Sequence, residues 1–152
     1  MALLFLARRS TPTSDRTQAS AMLQRMSTPE SVVQRQLDAY NAKDLEGWLA
    51  TYAADAKQFE LHGALLAAGH AQMRERMAVR FAEPDLHARL LSRVVMGHVV
   101  VDHERVTRNF PEGKGTIEML CVYELAHGVI AKASFAIGIK EVPGHAESAG
   151  SR

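Results

Sequence analysis

The side chains most able to do chemistry in this chain are its carboxylates, its histidines and one cysteine, and their spacing sorts them. In Lys57-Gln58-Phe59-Glu60-Leu61-His62 polar and apolar residues alternate, the pattern of a half-buried strand. Glu60 therefore faces opposite to Phe59 and Leu61. On a concave sheet face its burial would raise its pKa and suit it to proton abstraction; on an open edge strand it would be an ordinary exposed glutamate. His62 lies two residues along the same strand face and is the second catalytic candidate, with a structural or solvated histidine as the plainer reading. Asp102-His103-Glu104 is the densest cluster. On a strand His103 points away from both acids, and His98, Asp102 and Glu104 lack the helical spacing of a zinc ligand pair. The cluster reads as a charged outer sheet face, and no metal is expected. Gly113-Lys114-Gly115-Thr116 joins two strands and is too short for a phosphate loop, so it reads as a hairpin turn. Arg74, Arg76 and Arg80 read as the solvated side of a helix. Cys121 has no basic neighbour in an apolar stretch, which marks a small buried hydrophobe and not a nucleophile.

The elements that must position these groups follow from the hydrophobic period. Ser27 or Thr28 caps a helix with Pro29 in its first turn and Val33, Leu37 and Tyr40 on one face, closed by Asn41. Asp44 caps a second, in which Leu45, Trp48, Leu49 and Tyr52 fall at i, i+3, i+4 and i+7. A strand with a return strand over residues 64–68 comes next. The helical period then resumes, with Met73, Met77 and Phe81 four apart, until Pro84-Asp85 stops it. Beyond Leu86 the chain reads as four long strands, over residues 86–96, 98–110, 116–125 and 129–141. This is an α+β order: three helices on one face of an antiparallel sheet, whose bending leaves a concavity for a ligand. Ile117, Met119, Cys121, Tyr123 and Leu125 form one candidate pocket wall. Val129, Ala131, Ala133, Phe135, Ile137 and Ile139 form another, with Trp48 and Tyr52 covering the opening.

The run from Val32 through Gln36, Tyr40, Asn41-Ala42-Lys43-Asp44-Leu45 to Glu46 resembles the opening of bacterial ketosteroid isomerases and SnoaL-like proteins, in the nuclear transport factor 2 superfamily. Ala53-Ala54-Asp55-Ala56, Gly69 and Gly128-Val129-Ile130 are similar to later landmarks of that family. The resemblance spans residues 30–140. It implies a cystatin-like cone, a strongly curved sheet around one apolar pocket. It also implies a cofactor-free proton transfer next to a carbonyl, with Glu60 at the position of the base. Gln36 stands at the family's tyrosine position and Cys121 near its protonated-acid position, so the pair that holds an oxyanion is replaced here. Gln36, Tyr40 and His62 would orient the substrate, and Trp48, Tyr52, Cys121, Tyr123 and Phe135 would surround it.

The totals agree with a domain of this size. A chain of 152 residues with 47% hydrophobic and 23% charged residues has room for one core. A formal charge of +1 carries no electrostatic footprint for nucleic acid. A single cysteine points to a reducing cytoplasm. The apolar stretch over residues 2–7 is too short to span a bilayer, and Arg8 and Arg9 follow it instead of preceding it as in a secretory signal. Residues 1–26 read as a flexible extension, with a short lipid- or partner-binding helix as the competing idea; residues 27–141 form the domain, and residues 142–152 a tail. The expected partner is a small apolar or polyketide-like molecule, with neither nucleic acid nor membrane. A homodimer is expected through the outer sheet face, around Leu120 and Val122 with Thr116, Glu118 and Glu124 at the rim. Two other functions fit the same residues: a noncatalytic ligand-binding or dimerisation module, and an adaptor with an open apolar groove.

Overall fold

The computed structural model describes residues 13–144. The elements run α1 (Thr13–Met26), α2 (Pro29–Asn41), α3 (Leu45–Leu49), β1 (Tyr52–Glu60), β2 (Leu65–Ala68), α4 (Gly69–Phe81), β3 (His87–Met96), β4 (Val99–Phe110), β5 (Gly113–Ala126) and β6 (Val129–Glu141). The expected capping is present. The Thr28 hydroxyl accepts from the Ser31 amide at 3.2 Å, and the Asp44 carboxylate accepts from the Gly47 amide at 3.0 Å. Each thereby satisfies an amide that the first helical turn leaves without a partner.

Tyr52 departs from its expected helical place. The Thr51 carbonyl accepts from the Ile130 amide at 2.9 Å, which draws the chain out of α3 and starts β1 beside β6 at Tyr52. Residues 13–26, part of the extension expected before the domain, are helical. They form α1, which touches α2 and leaves its described side chains exposed. Its Ala, Gln, Met and Arg residues favour a helix locally. The apolar stretch over residues 2–7 and the tail over residues 145–152 lie outside the described residues.

The strands form one sheet in the order β2-β1-β6-β5-β4-β3. Every pairing is antiparallel except β1 with β6, which is parallel, so the sheet is mixed and not purely antiparallel. The β5–β6 turn places His127 and Gly128 at φ of 53° and 78°, the left-handed pair that a tight hairpin needs. Two bulges decide which side chains face inward. One in β3 between Leu90 and Ser92 reverses the alternation, so that Arg93 stands opposite Asp102 on the inner face. Another between β5 and β6 brings Ile130, and not Val129, inward beside Leu125.

Helices α2, α3 and α4 cover the inner face and bury two apolar clusters. One holds Val32, Trp48, Tyr52, Met73, Tyr123 and Ile130; the other holds Leu37, Leu86, Ala88, Val106 and Ile117. Tyr40, Phe81 and Met119 pack against both. Burying each large side chain contributes about 1.5–3 kcal/mol.

Asn41 ties the end of α2 to the sheet. Its Oδ1 accepts from the Ala88 amide at 2.8 Å and its Nδ2 donates to the Ala88 carbonyl at 2.9 Å. Ala88 is buried on the edge strand β3, so the side-chain amide completes a ladder that has no next strand. Asn41→Ala strands both backbone groups. The expected loss is about 1–3 kcal/mol, read as a lower urea midpoint with an unchanged m value. A midpoint equal to that of the wild type would show that water replaces the amide.

Candidate functional site

Between the two clusters lies a cavity of about 220 Å³. Gln36 and Tyr40 reach it from α2 and Trp48 from α3. Tyr52, Gln58 and Glu60 reach it from β1, and Arg76, Met77 and Arg80 from α4. Glu104 and Arg108 come from β4, Cys121 and Tyr123 from β5, and Phe135 from β6. Gln36, Tyr40, Trp48, Tyr52, Cys121, Tyr123 and Phe135 thus all line one space. Trp48 and Tyr52 are buried and form its inner wall, so they do not cover its opening.

The acids are distributed differently from the sequence reading. Asp102 and Glu104 face inward and are buried, at 0% and 5% exposure. They do not form a charged outer face. His103 does point outward, where it pairs with Glu118. Arg93 grips Asp102 with two parallel bonds, Nε to Oδ1 at 2.6 Å and Nη2 to Oδ2 at 2.7 Å, and gives Nη1 to Gln34 at 2.8 Å. Glu104 has no such cation. Its Oε2 accepts only from the Cys121 thiol, at 3.7 Å, and its Oε1 is buried without a hydrogen-bond partner among the described residues. Burial first, and the neighbouring Asp102 charge second, push the Glu104 carboxyl up to about 7. Burial likewise raises the Cys121 thiol, so it stays protonated as expected of an inert cysteine.

Glu60, expected to be the buried base, does face inward and lines the cavity, but it is exposed. It sits at the last pair of β1 with β6, opposite Phe135, beyond the cover of the helices. His62 lies past the strand in the turn, exposed, with φ of 56°, and does not line the cavity. A turn that reverses into β2 ends the alternation that put the two on one face.

The polar floor is a short chain. The Tyr123 hydroxyl donates to Gln36 Oε1 at 3.5 Å, and Gln36 Nε2 donates to the Tyr52 hydroxyl at 3.4 Å. Burial raises both phenols well above their usual range, so they are donors and not anions. Gln58 is fully buried; its Oε1 accepts from Arg76 at 3.1 Å, while Nε2 faces Tyr52 without a bond of good geometry. Trp48 Nε1, Gln58 Nε2 and Glu104 Oε1 are the buried side-chain polar atoms left without partners among the described residues, and all three residues line this cavity. Such groups are costly unless a ligand or water meets them. Among the described residues no group of His, Cys, Asp and Glu side chains could hold a metal ion.

The family model for the SnoaL-like domain matches residues 33–133. The chain belongs to the SnoaL-like domain family. No curated protein matches it. Solved structures share the fold. A cystatin-fold protein of Novosphingobium aromaticivorans is 23% identical, with TM-score 0.67 over 72% of this chain and 97% of the other. A Catenulispora acidiphila protein with a ketosteroid isomerase-like fold is 15% identical, with TM-score 0.62 over 72% and 86%. An M. tuberculosis LEH-like epoxide hydrolase is 12% identical, with TM-score 0.61 over 70% and 80%. At these identities the likeness speaks for the SnoaL-like fold and not for one reaction.

The residues missed in the sequence were Gln58, Glu104, Arg76, Arg80 and Arg108. The two helical arginines had a signal. Met73, Arg76, Met77 and Arg80 stand at i, i+3, i+4 and i+7, so the arginines share the methionine face and not the solvated one.

Glu104 makes stability depend on pH. The folded state keeps its proton up to about pH 7, whereas an ordinary glutamate releases it near 4.5. Between these values the folded state binds more protons, so raising the pH through the window destabilises it, by roughly 3 kcal/mol in total. Glu104→Gln removes this dependence. Denaturation of both proteins at about pH 5 and about pH 8 should show the variant gaining on the wild type at the higher pH. Parallel pH profiles would mean that Glu104 titrates normally.

Proposed function

We propose that this SnoaL-like domain binds a small, mainly apolar carbonyl compound and moves a proton next to its carbonyl, as a cofactor-free isomerase, cyclase or dehydratase. One observation carries the reading: a buried carboxyl that titrates near neutrality belongs to the cavity lining, and its Oε1 has no hydrogen-bond partner among the described residues. Such a group populates both its forms near working pH, which suits it to take a proton from carbon and return it elsewhere. The Tyr52 hydroxyl accepts from Gln36 and keeps its own proton for an acceptor in the cavity. It can hold the oxygen of the enolate formed when Glu104 takes the proton, so a phenol from β1 stands where Gln36 replaces the tyrosine of α2. Tyr40, Trp48, Cys121, Tyr123 and Phe135 enclose the substrate. Glu60 becomes a second carboxylate at the rim, with His62 outside. The ligand is a small apolar or polyketide-like molecule. The buried, unpaired Cys121 fits a cytoplasmic setting. Among the described residues no helix is long and apolar enough to cross a membrane.

The test is hydrogen–deuterium exchange next to the carbonyl of small cyclic ketones, followed by NMR in heavy water. Glu104→Gln should lower the exchange rate about 10²- to 10⁴-fold, and Glu60→Gln less than about tenfold. The wild-type rate should rise with pH and level off above about 7 as Glu104 ionises. If Glu104→Gln leaves both exchange and ligand affinity unchanged, the noncatalytic binding module is the better reading.

We also propose a homodimer through the outer sheet face. Leu120 is 37% exposed there, Val122 is half-buried, and Val94 and Met96 extend the apolar strip along β3 at 57% and 75%. Glu118 paired with His103 and Glu124 paired with Lys132 give the face polar sites around that strip. Leu120→Glu puts a charge in the strip, and light scattering at micromolar concentration should change from dimer to monomer mass. A monomeric wild type would refute the assembly.

A further inference from the structure

Three arginines face the cavity, and they are not equivalent. Arg108 donates Nε to Glu83 Oε2 at 2.7 Å and Nη2 to Glu83 Oε1 at 2.6 Å. Arg80 donates Nη1 to the same Oε1 at 3.1 Å. Glu83 therefore occupies both. Arg76 pairs with no carboxylate among the described residues. Its polar contact is the neutral Gln58 amide, and its guanidinium lies 5.9 Å from the centre of the Phe135 ring. Glu60, opposite Phe135 on the neighbouring strand, is exposed and makes no ion pair with it.

A half-buried guanidinium without an anion is an unfavourable arrangement. Burial first, and the like charge of Arg80 one turn along α4 second, lower its hold on its proton. An anion in the cavity would relieve both effects at once. We infer that the substrate carries a carboxylate, and that Arg76 binds it at one end of the cavity while its carbonyl faces Glu104 at the other. The inference rests on the cavity being the substrate site. A carboxylate is favoured over a phosphate because a single free guanidinium fork matches two planar oxygens. A phosphate dianion calls for further cations, and Glu83 already holds Arg80 and Arg108. Between its polar points the lining is apolar or aromatic, with Met77, Met119, Ile117 and Phe135 among it, and the Phe135 ring lies beside Arg76. The body of the substrate is therefore a small apolar or aromatic skeleton, which makes it an oxo acid and not a neutral ketone.

Calorimetric titration with matched acid and amide pairs tests this: phenylacetate with phenylacetamide, cinnamate with cinnamamide, and 2-naphthoate with 2-naphthamide. In at least one pair the acid should bind the wild type roughly ten- to hundredfold more tightly. Arg76→Met should bring acid and amide to within about twofold, and Arg76→Lys should keep part of the preference. Arg76→Gln serves the same purpose if the methionine variant does not fold. Glu104→Gln should retain the acid preference. A protein that keeps this preference yet shows no exchange chemistry would refute proton transfer alone, and exchange without the preference would refute the carboxylate alone. The inference is overturned if no acid binds better than its amide, including the case where no acid binds. It is also overturned if the Arg76 variants keep the preference, or if phenyl phosphate binds more tightly than every carboxylate.

Discussion

Two acids and one cation share the inner face of β4 and its neighbour, and the way they divide governs the site. Asp102 and Glu104 lie two residues apart on one strand face, both buried. Two ionised carboxylates that close in a wall of low polarity cannot both be tolerated with a single cation to hand. Arg93 gives its fork wholly to Asp102. That pair is well bonded, and the Glu104 carboxyl, buried without a cation of its own, is pushed up to about 7. Burial first, and the Asp102 charge second, raise the Glu104 carboxyl, and the arginine's place leaves it no bonded cation to offset either.

The arginine goes there because of a bulge. Strict alternation along β3 from Ala88 and Leu90 would turn Arg93 to the outer face. The register shift between Leu90 and Ser92 brings it back inward, opposite Asp102. One extra residue in an edge strand therefore decides which of the two acids on the next strand is held by a cation. Asn41 anchors that edge strand by bonding both backbone groups of Ala88 on the other side of the bulge.

The cavity is polar at several separate points and apolar between them. A packed core would be stabler without the orphaned Trp48, Gln58 and Glu104 atoms, and aromatic or aliphatic residues at these places would close the space. The ordinary cores of the fold lie on either side, around Trp48 and around Leu37, and the shared contacts of Tyr40, Phe81 and Met119 keep the gap between them from collapsing. A scaffold of this kind tolerates changes in the lining without changes in its packing, which is how related folds come to serve different reactions.

Local rules carried much of the fold from the sequence. Thr28 and Asp44 cap helices because their side chains reach the free amides of the next turn. The alternation from Ile117 to Leu125 placed Cys121 and Tyr123 inward, and His127-Gly128 could supply the tight turn before β6. These features depend on residues a few positions apart. The facing of β4 does not. Its even row, Val100, Asp102, Glu104 and Val106, and its odd row, Val99, Val101, His103 and Arg105, each carry two valines and two polar or charged residues. Period-two patterning cannot say which row is buried when both are equally mixed. Only the packing of α2 and α4 over the sheet, with Arg93 brought round by its bulge, made the even row the inner one. The same cover stops short of Glu60, so of two glutamates at alternating strand positions the tertiary structure desolvated Glu104 and left Glu60 in water.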